Sequence, residues 1–203
     1  MGQEFDRTYW EDHYRSHGRG PGTGAPPNPH LVAQVSGLAP GRALDAGAGT
    51  GAEARWLAGQ GWQVTAADIS RSALDAARER TDPVTAERIT WVRADLTEED
   101  PGSGFDLVCS HYAHPAGDPR VLFSRLASAV APGGLLFIVG HDRTGDHRHD
   151  GSLEHTRVSA DRIAQSLDGG EWEVLVNASR SRETARSGHR APLHDSVLAA
   201  RRR

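Results

Sequence analysis

Short apolar runs and amphipathic stretches alternate along the middle of this chain. Apolar runs of five or six residues, bounded by glycine, proline or polar residues, are typical of buried strands. The stretches between them repeat apolar positions at helical spacing and predict helices at 52–60, 72–81 and 119–130. Because strands and helices alternate, the pattern indicates a parallel sheet with helices on both faces. The predicted strands are 42–46, 62–67, 89–94, 105–110 and 135–140.

The amino-terminal part does not follow this alternation. Residues 4–17 carry aromatic side chains near helical spacing, which predicts an amphipathic helix. Residues 18–29 hold four glycines and four prolines and predict a loop, and 31–38 predict a short helix. We expect residues 1–28 to act as a cover for the rest of the domain.

The carboxyl-terminal part predicts one more helix and two strands. The helix is expected at 160–167, and the strands at 172–179 and 193–200. The span between these strands is too short and too polar for a crossover helix, so they are predicted to pair antiparallel. Residues 1–203 are expected to form a single domain.

Composition narrows the class of protein. Hydrophobic residues make up 37% of the chain and charged residues 25%, with a net charge of −4, which fits a globular protein and not a disordered one. The longest apolar run, 133–140, is far shorter than the ~20 residues needed to cross a bilayer. The amino terminus has none of the features of a secretory signal. We expect a cytoplasmic protein without a membrane segment.

All 23 basic residues are arginine. Because the sequence contains no lysine, it excludes Schiff-base chemistry and a Walker-type phosphate loop, both of which need the lysine amine. The arginines are spread along the chain and form no basic patch, so nucleic-acid binding is not expected. Cys109 is the only cysteine; it excludes an intrachain disulfide and a multi-thiolate metal site, and its apolar strand favours a core position.

A nucleoside site is predicted at the carboxyl edge of the sheet, where open α/β folds bind ligands. The first strand ends in Asp45 and a loop with three alternating glycines, which allow a close approach of the backbone to a ligand. Asp68 follows the second strand, where a carboxylate can accept the hydroxyls of a ribose. Asp95 follows the third strand.

The charge near this loop distinguishes a nicotinamide dinucleotide from S-adenosylmethionine as the ligand. Gly47, Gly49 and Ala52 also fit the dinucleotide pattern of nicotinamide enzymes. A pyrophosphate beside Asp45 would be repelled, whereas the ammonium and sulfonium of S-adenosylmethionine would be attracted. The loop therefore favours a cationic ligand.

Five segments in order along the chain carry a family resemblance: 43–51, 64–70, 93–96, 105–108 and 126–136. On these segments the chain resembles the class I S-adenosylmethionine-dependent methyltransferases over nearly its whole length. The resemblance implies a Rossmann-like α/β fold with strand order 3-2-1-4-5-7-6 and an antiparallel last hairpin. It also implies S-adenosylmethionine as cofactor and S-adenosylhomocysteine as product. A narrower resemblance, to the small tellurite-resistance-like and nodulation-type branch, rests on the opening helix, Asn28-Pro29, Gly61-Trp62 and Gly140-His141.

In this family the glycine loop contacts the methionine part, the acid after strand two binds ribose, and the acid after strand three binds adenine. The resemblance assigns these roles to Gly47, Asp68 and Asp95. The aromatic helix has two interpretations, a cover for the cofactor or simple packing on the sheet. The full predicted cofactor site is Trp10, Tyr14, Asp45, Gly47, Gly49, Gly51, Asp68, Ile69, Asp95, Leu96 and Ser110.

Three histidines are candidate catalytic residues. His111 and His114 follow strand four and His141 follows strand five, so all three flank the expected position of the methyl group. Each is a candidate to orient or deprotonate an acceptor, or to donate a hydrogen bond within its loop. A base is optional, because placing the nucleophile supplies most of the rate, about 7–11 kcal/mol.

Residues 141–156 are dense in histidine and aspartate and predict a long polar loop. Their spacing matches no rigid pair of metal ligands, so no metal is predicted. The predicted partner is a small-molecule methyl acceptor, with the chain as a monomer or homodimer. Two alternatives stay open: an S-adenosylmethionine-binding accessory or sensor protein without turnover, and a nicotinamide-dependent oxidoreductase, which the absence of lysine disfavours.

Overall fold

The computed structural model describes residues 5–17, 25–142, 159–186 and 189–203. A seven-stranded sheet forms its centre, in the order β3-β2-β1-β4-β5-β7-β6. Pairing is parallel among the first five strands and antiparallel for β5 with β7 and β7 with β6. The predicted order and the reversed last hairpin are confirmed. The strands are β1 Arg42–Ala46, β2 Gln63–Asp68, β3 Ile89–Arg93, β4 Phe105–His111, β5 Val130–His141, β6 Trp172–Arg186 and β7 His189–Arg202.

Helices cover both faces of this sheet. Five begin at a residue whose side chain accepts a backbone N–H: Asn28 before α2, Ser70 before α4, Asp82 before α5, Asp118 before α6 and Ser159 before α7. Gly51 begins α3 in the left-handed conformation. The helices are α1 Arg7–His17, α2 Pro29–Val35, α3 Ala52–Gly59, α4 Arg71–Glu79, α5 Pro83–Ala86, α6 Pro119–Ala129 and α7 Ala160–Ser166.

The core has two halves, one on each face of the sheet, because successive side chains of a strand point to opposite faces. In β4, Leu107 and Cys109 belong to the half on the α2 and α3 face, whereas Val108 belongs to the half that includes α6 and α7. All three side chains are fully buried. The prediction that Cys109 lies in the core is confirmed.

The largest differences from the sequence prediction lie at β5, in the β6–β7 hairpin and at α5. β5 begins at Val130, because that residue pairs with Phe105 ahead of the predicted start. β6 and β7 extend into the polar span between the two predicted strands, to Arg186 and from His189, since antiparallel pairing supplies the backbone hydrogen bonds whatever the side chains are. The short helix α5 was not predicted. Among the described residues, no helix combines the length and apolar character that crossing a bilayer requires.

Candidate active site

The loop after β1 is tied to the end of β2. The backbone N–H groups of Gly47 and Ala48 both donate to the carbonyl of Ala67, at 2.8 and 3.0 Å. Gly47 has φ +78° and Gly49 φ +52°, a region in which side chains other than glycine are strained. The loop therefore needs these glycines to turn from the strand into α3.

Asp68 holds the loop from the other side. Its carboxylate accepts the N–H of Gly49 at 2.7 Å and the N–H of Ser70 at 2.8 Å. Burial raises the pKa of Asp68 to about 6, although these two hydrogen bonds act in the opposite direction. The carboxylate is thus placed at the loop and largely ionised at neutral pH.

A cavity of about 590 Å³ opens at the carboxyl ends of the parallel strands, a size typical of small-molecule sites. Its described lining includes the acids Glu53, Asp68 and Asp95, and no arginine. The predicted edge of the sheet is therefore where the structure has its cavity. Eleven predicted site residues line it, namely Trp10, Tyr14, Gly47, Gly49, Asp68, Ile69, Asp95, Leu96, His111, His114 and His141.

Three predicted cofactor residues do not line this cavity. Asp45 is 1% exposed and lies beneath the loop, where burial raises its pKa well above the usual range. Gly51 faces the packing between α3 and α4, beside Trp91. Ser110 precedes His111 in β4 and so points to the opposite face, where its hydroxyl donates to the carbonyl of Ala46 at 2.8 Å.

Helix α1 forms one wall of the cavity and is fixed to the start of α4. The Glu11 carboxylate accepts the hydroxyls of Ser70 at 3.0 Å and Ser72 at 2.6 Å. Burial acts to raise the pKa of Glu11, but these hydrogen bonds outweigh it and hold the pKa below its ordinary value. Trp10 and Tyr14 of the same helix face the cavity. The helix thus packs on the domain and also lines the cavity. A role as cover for the cofactor stays a prediction.

The three candidate histidines lie at one end of the cavity. The rings of His114 and His141 stack with centroids 5.9 Å apart, and Trp10 stacks on His114 at 6.5 Å. Both ring nitrogens of His111 are closed to solvent. Burial lowers the pKa of His111, so its imidazole is neutral at neutral pH.

Tyr112 is a further residue at this end of the cavity that sequence reasoning did not single out. Its φ is +53°, a strained value for a tyrosine. Its hydroxyl accepts from Asn28 Nδ2 at 3.0 Å and from Arg182 Nε at 3.1 Å, and its ring stacks on His141. Arg182 also donates to the fully buried Asp195 at 2.6 Å. The only signal in the sequence is its position directly after β4.

The histidine-rich stretch weighed as a metal site contributes only His141 and Asp142 to the described residues. The rest of that stretch, with His147, His149 and His155, lies outside the described residues.

Gly49→Val is expected to weaken binding of S-adenosylhomocysteine by about tenfold or more, because the free loop can relieve the cost of a positive φ, about 1–2 kcal/mol for a non-glycine residue, only by leaving the conformation that binds. A Cβ at Gly49 would lie 2.8 Å from the hydroxyl of Tyr14, which would have to move. Isothermal titration calorimetry measures the affinity. Gly37→Val is the matched control, since a Cβ there meets nothing within 4 Å. Equal affinities in the two variants would contradict the expectation.

Known methyltransferases are similar to the central part of the chain. Residues 43–134, from β1 into β5, match the family model described as a methyltransferase domain. Over this stretch the chain is similar to methyltransferases. It is 42% identical over 98 residues to an uncharacterized methyltransferase of Mycobacterium tuberculosis, a match that covers 47% of this chain and 48% of the relative. The narrower branch suggested by the sequence stays a prediction.

Two further proteins are similar to this chain. It is 33% identical over 135 residues to a ubiquinone biosynthesis O-methyltransferase of Xanthomonas euvesicatoria, covering 66% of this chain and 54% of the relative. The chain thus spans about half the length of the curated relatives it matches. The fold is shared with Burkholderia thailandensis 1,6-didemethyltoxoflavin-N1-methyltransferase, at a TM-score of 0.67 and 24% identity over 97% of this chain and 86% of that one.

Proposed function

We propose that this protein transfers a methyl group from S-adenosylmethionine to an oxygen, nitrogen or sulfur atom of a small molecule, and releases S-adenosylhomocysteine. The observation that carries the proposal is the charge of the cavity. Three acids and no arginine are among the described residues that line it, so the cavity favours a cationic ligand such as a sulfonium over a pyrophosphate. Two similar proteins are named as methyltransferases of small molecules, which supports the substrate class.

We place the methyl donor in the cavity according to the residues that line it. The Asp68 carboxylate receives the ribose hydroxyls, and Asp95 with its neighbour Leu96 receives the adenine. The methionine part lies along Gly47 and Gly49, where the backbone allows a close approach. The methyl group then points toward the histidine end of the cavity, and Trp10 and Tyr14 cover the donor.

The chemistry needed from the protein is mainly placement. The acceptor's lone pair forms the bond to the methyl carbon while the carbon–sulfur bond breaks, and its electrons stay on sulfur as a neutral thioether. A proton leaves the acceptor to water or to a histidine. His111, His114 and His141 are the candidates to accept it; all three line this end of the cavity, although both ring nitrogens of His111 are closed to solvent in the free protein.

The experiment begins with calorimetric titration of S-adenosylmethionine, S-adenosylhomocysteine and NAD. Transfer of a labelled methyl group to a panel of phenols, N-heterocycles and thiols follows. Binding of the adenosyl compounds and labelling of at least one acceptor class are expected. Heat with NAD alone would overturn the proposal. Adenosyl binding without labelling across the panel would favour the accessory protein without turnover. The cytoplasmic location and the monomer or homodimer stay predictions.

Affinity for S-adenosylhomocysteine is expected to fall by about tenfold between pH 7 and pH 5. The pKa of Asp68 is raised to about 6 in the free protein, so its carboxylate, which must accept the ribose hydroxyls, forms as the pH rises through that value and is lost below it. Titration calorimetry at the two pH values measures the change. Asp68→Asn should bind weakly and lack this step. A step of equal size in the variant would show that another group causes it.

A further inference from the structure

The pairing of β1 with β4 brings three metal-binding side chains to one face of the sheet. Asp45 and Cys109 are direct partners in the parallel register, so their side chains lie side by side. His111 follows Cys109 by two residues in β4 and therefore points to the same face. A carboxylate, a thiol and an imidazole thus meet beneath the glycine loop.

These groups face one another in a closed space. One ligand atom from each of the three residues lies within 4.8 Å of the other two. Asp45 Oδ1 is 3.8 Å from the Cys109 sulfur. Asp45 Oδ2 and both ring nitrogens of His111 are closed to solvent and have no hydrogen-bond partner among the described residues. Buried polar atoms in that state cost stability, which points to a ligand that fills the space.

We propose that Asp45, Cys109 and His111 bind one zinc-class divalent cation. Thiolate sulfur, imidazole nitrogen and carboxylate oxygen are the ligands that zinc prefers. Because the three atoms lie within 4.8 Å of one another, a central point is within about 2.8 Å of each, against about 2.0–2.3 Å in zinc sites. Movements of less than about 1 Å therefore complete the coordination.

The cavity gives the ion a path to this site. His111 is part of the cavity wall, whereas Asp45 and Cys109 lie below it. Water would complete the coordination, as in open zinc sites. Binding releases the thiol proton of Cys109 to solvent, together with any proton held by Asp45. No redox change accompanies the step.

One consequence rests on the proposed function. A divalent cation below the glycine loop stands close to the proposed place of the methionine part, and it uses the Asp45 carboxylate. Its charge opposes the ammonium and sulfonium of the methyl donor. Zinc is therefore expected to weaken donor binding by at least about tenfold, or about 1.4 kcal/mol.

Titration of the reduced, metal-free full chain with Co²⁺ tests the site without any donor. A thiolate–cobalt charge-transfer band in the near ultraviolet is expected, saturating at one equivalent and reversed by Zn²⁺. Because Cys109 is the only cysteine, such a band reports this residue alone, and cobalt held by histidines elsewhere in the chain does not produce it.

Variants separate the ligands. Cys109→Ala should abolish the band, and His111→Gln should lower cobalt affinity by at least about tenfold. His114→Gln, the matched control in the same cavity, should leave it unchanged, with the fold of each variant checked by circular dichroism. No charge-transfer band with cobalt in excess, or equal affinities in wild type and His111→Gln, would overturn the proposal. The band does not depend on the donor, so failure of the site and failure of the proposed function are told apart.

Discussion

Asp68→Ala is expected to weaken binding of S-adenosylhomocysteine by about 100-fold or more. In the proposed complex the carboxylate accepts two ribose hydroxyls, and each hydrogen bond to a charged group contributes about 1.5–3 kcal/mol. The substitution also removes the acceptor for the N–H groups of Gly49 and Ser70, so the loop loses its support from β2. Titration calorimetry at pH 7, where the wild-type carboxylate is ionised, measures the loss.

The control for this expectation is Asp75→Ala. Asp75 lies in the nearby helix α4, with its side chain 49% exposed, so the variant changes the net charge equally without touching the cavity. Its affinity should match that of the wild type. If Asp68→Ala binds S-adenosylhomocysteine as tightly as Asp75→Ala does, the ribose does not lie at Asp68 and the proposed placement of the donor is wrong.

Gly51→Val is expected to destabilise the fold by about 2–5 kcal/mol, from the cost of a positive φ for a non-glycine residue and from overpacking. Gly51 has φ +77°, and a Cβ there would lie 2.5 Å from the ring of Trp91 and 3.0 Å from Cβ of Ala77. Both contacts belong to packed elements that cannot yield cheaply. Unfolding in urea, followed by circular dichroism, gives the free energy.

Gly59→Val serves as the comparison for Gly51→Val. Gly59 ends α3, its φ is not positive, and a Cβ there meets nothing within 4 Å. Its free energy of unfolding should stay within about 0.5–1 kcal/mol of the wild type. A Gly51→Val variant as stable as Gly59→Val would mean that the start of α3 differs from the conformation described above.

The cavity at the carboxyl ends of the strands was predictable, because the position of each residue there depends only on the strand that precedes it. A parallel strand places its last residue at one edge of the sheet, so the positions of Gly47, Asp68 and Asp95 follow from the strands alone. The direction of the Ser110 side chain has an equally local cause. Side chains alternate along a strand, so the Ser110 and His111 side chains point to opposite faces of the sheet, and a role for Ser110 at the cofactor stays a prediction.

Other features depend on contacts between distant parts of the chain. The Tyr112 hydroxyl is held by Asn28, 84 residues away, and by Arg182, 70 residues away. Neither contact leaves a periodic signal in the sequence. The burial of Asp45 was not predictable from the sequence for the same reason. Its carboxylate is buried only after β4 pairs with β1 and α3 packs above them.

The hydrogen bond from Arg182 to the Tyr112 hydroxyl links the last hairpin to the cavity wall. Tyr112 keeps a strained backbone angle, and the groups that fix its hydroxyl come from β6 and from the residue before α2. A substitution that loosens the pairing of β6 with β7 is therefore expected to displace the Arg182 guanidinium, and with it the Tyr112 hydroxyl at the cavity wall. Altered acceptor preference from changes in a hairpin at the far edge of the sheet is the expected signature of that connection.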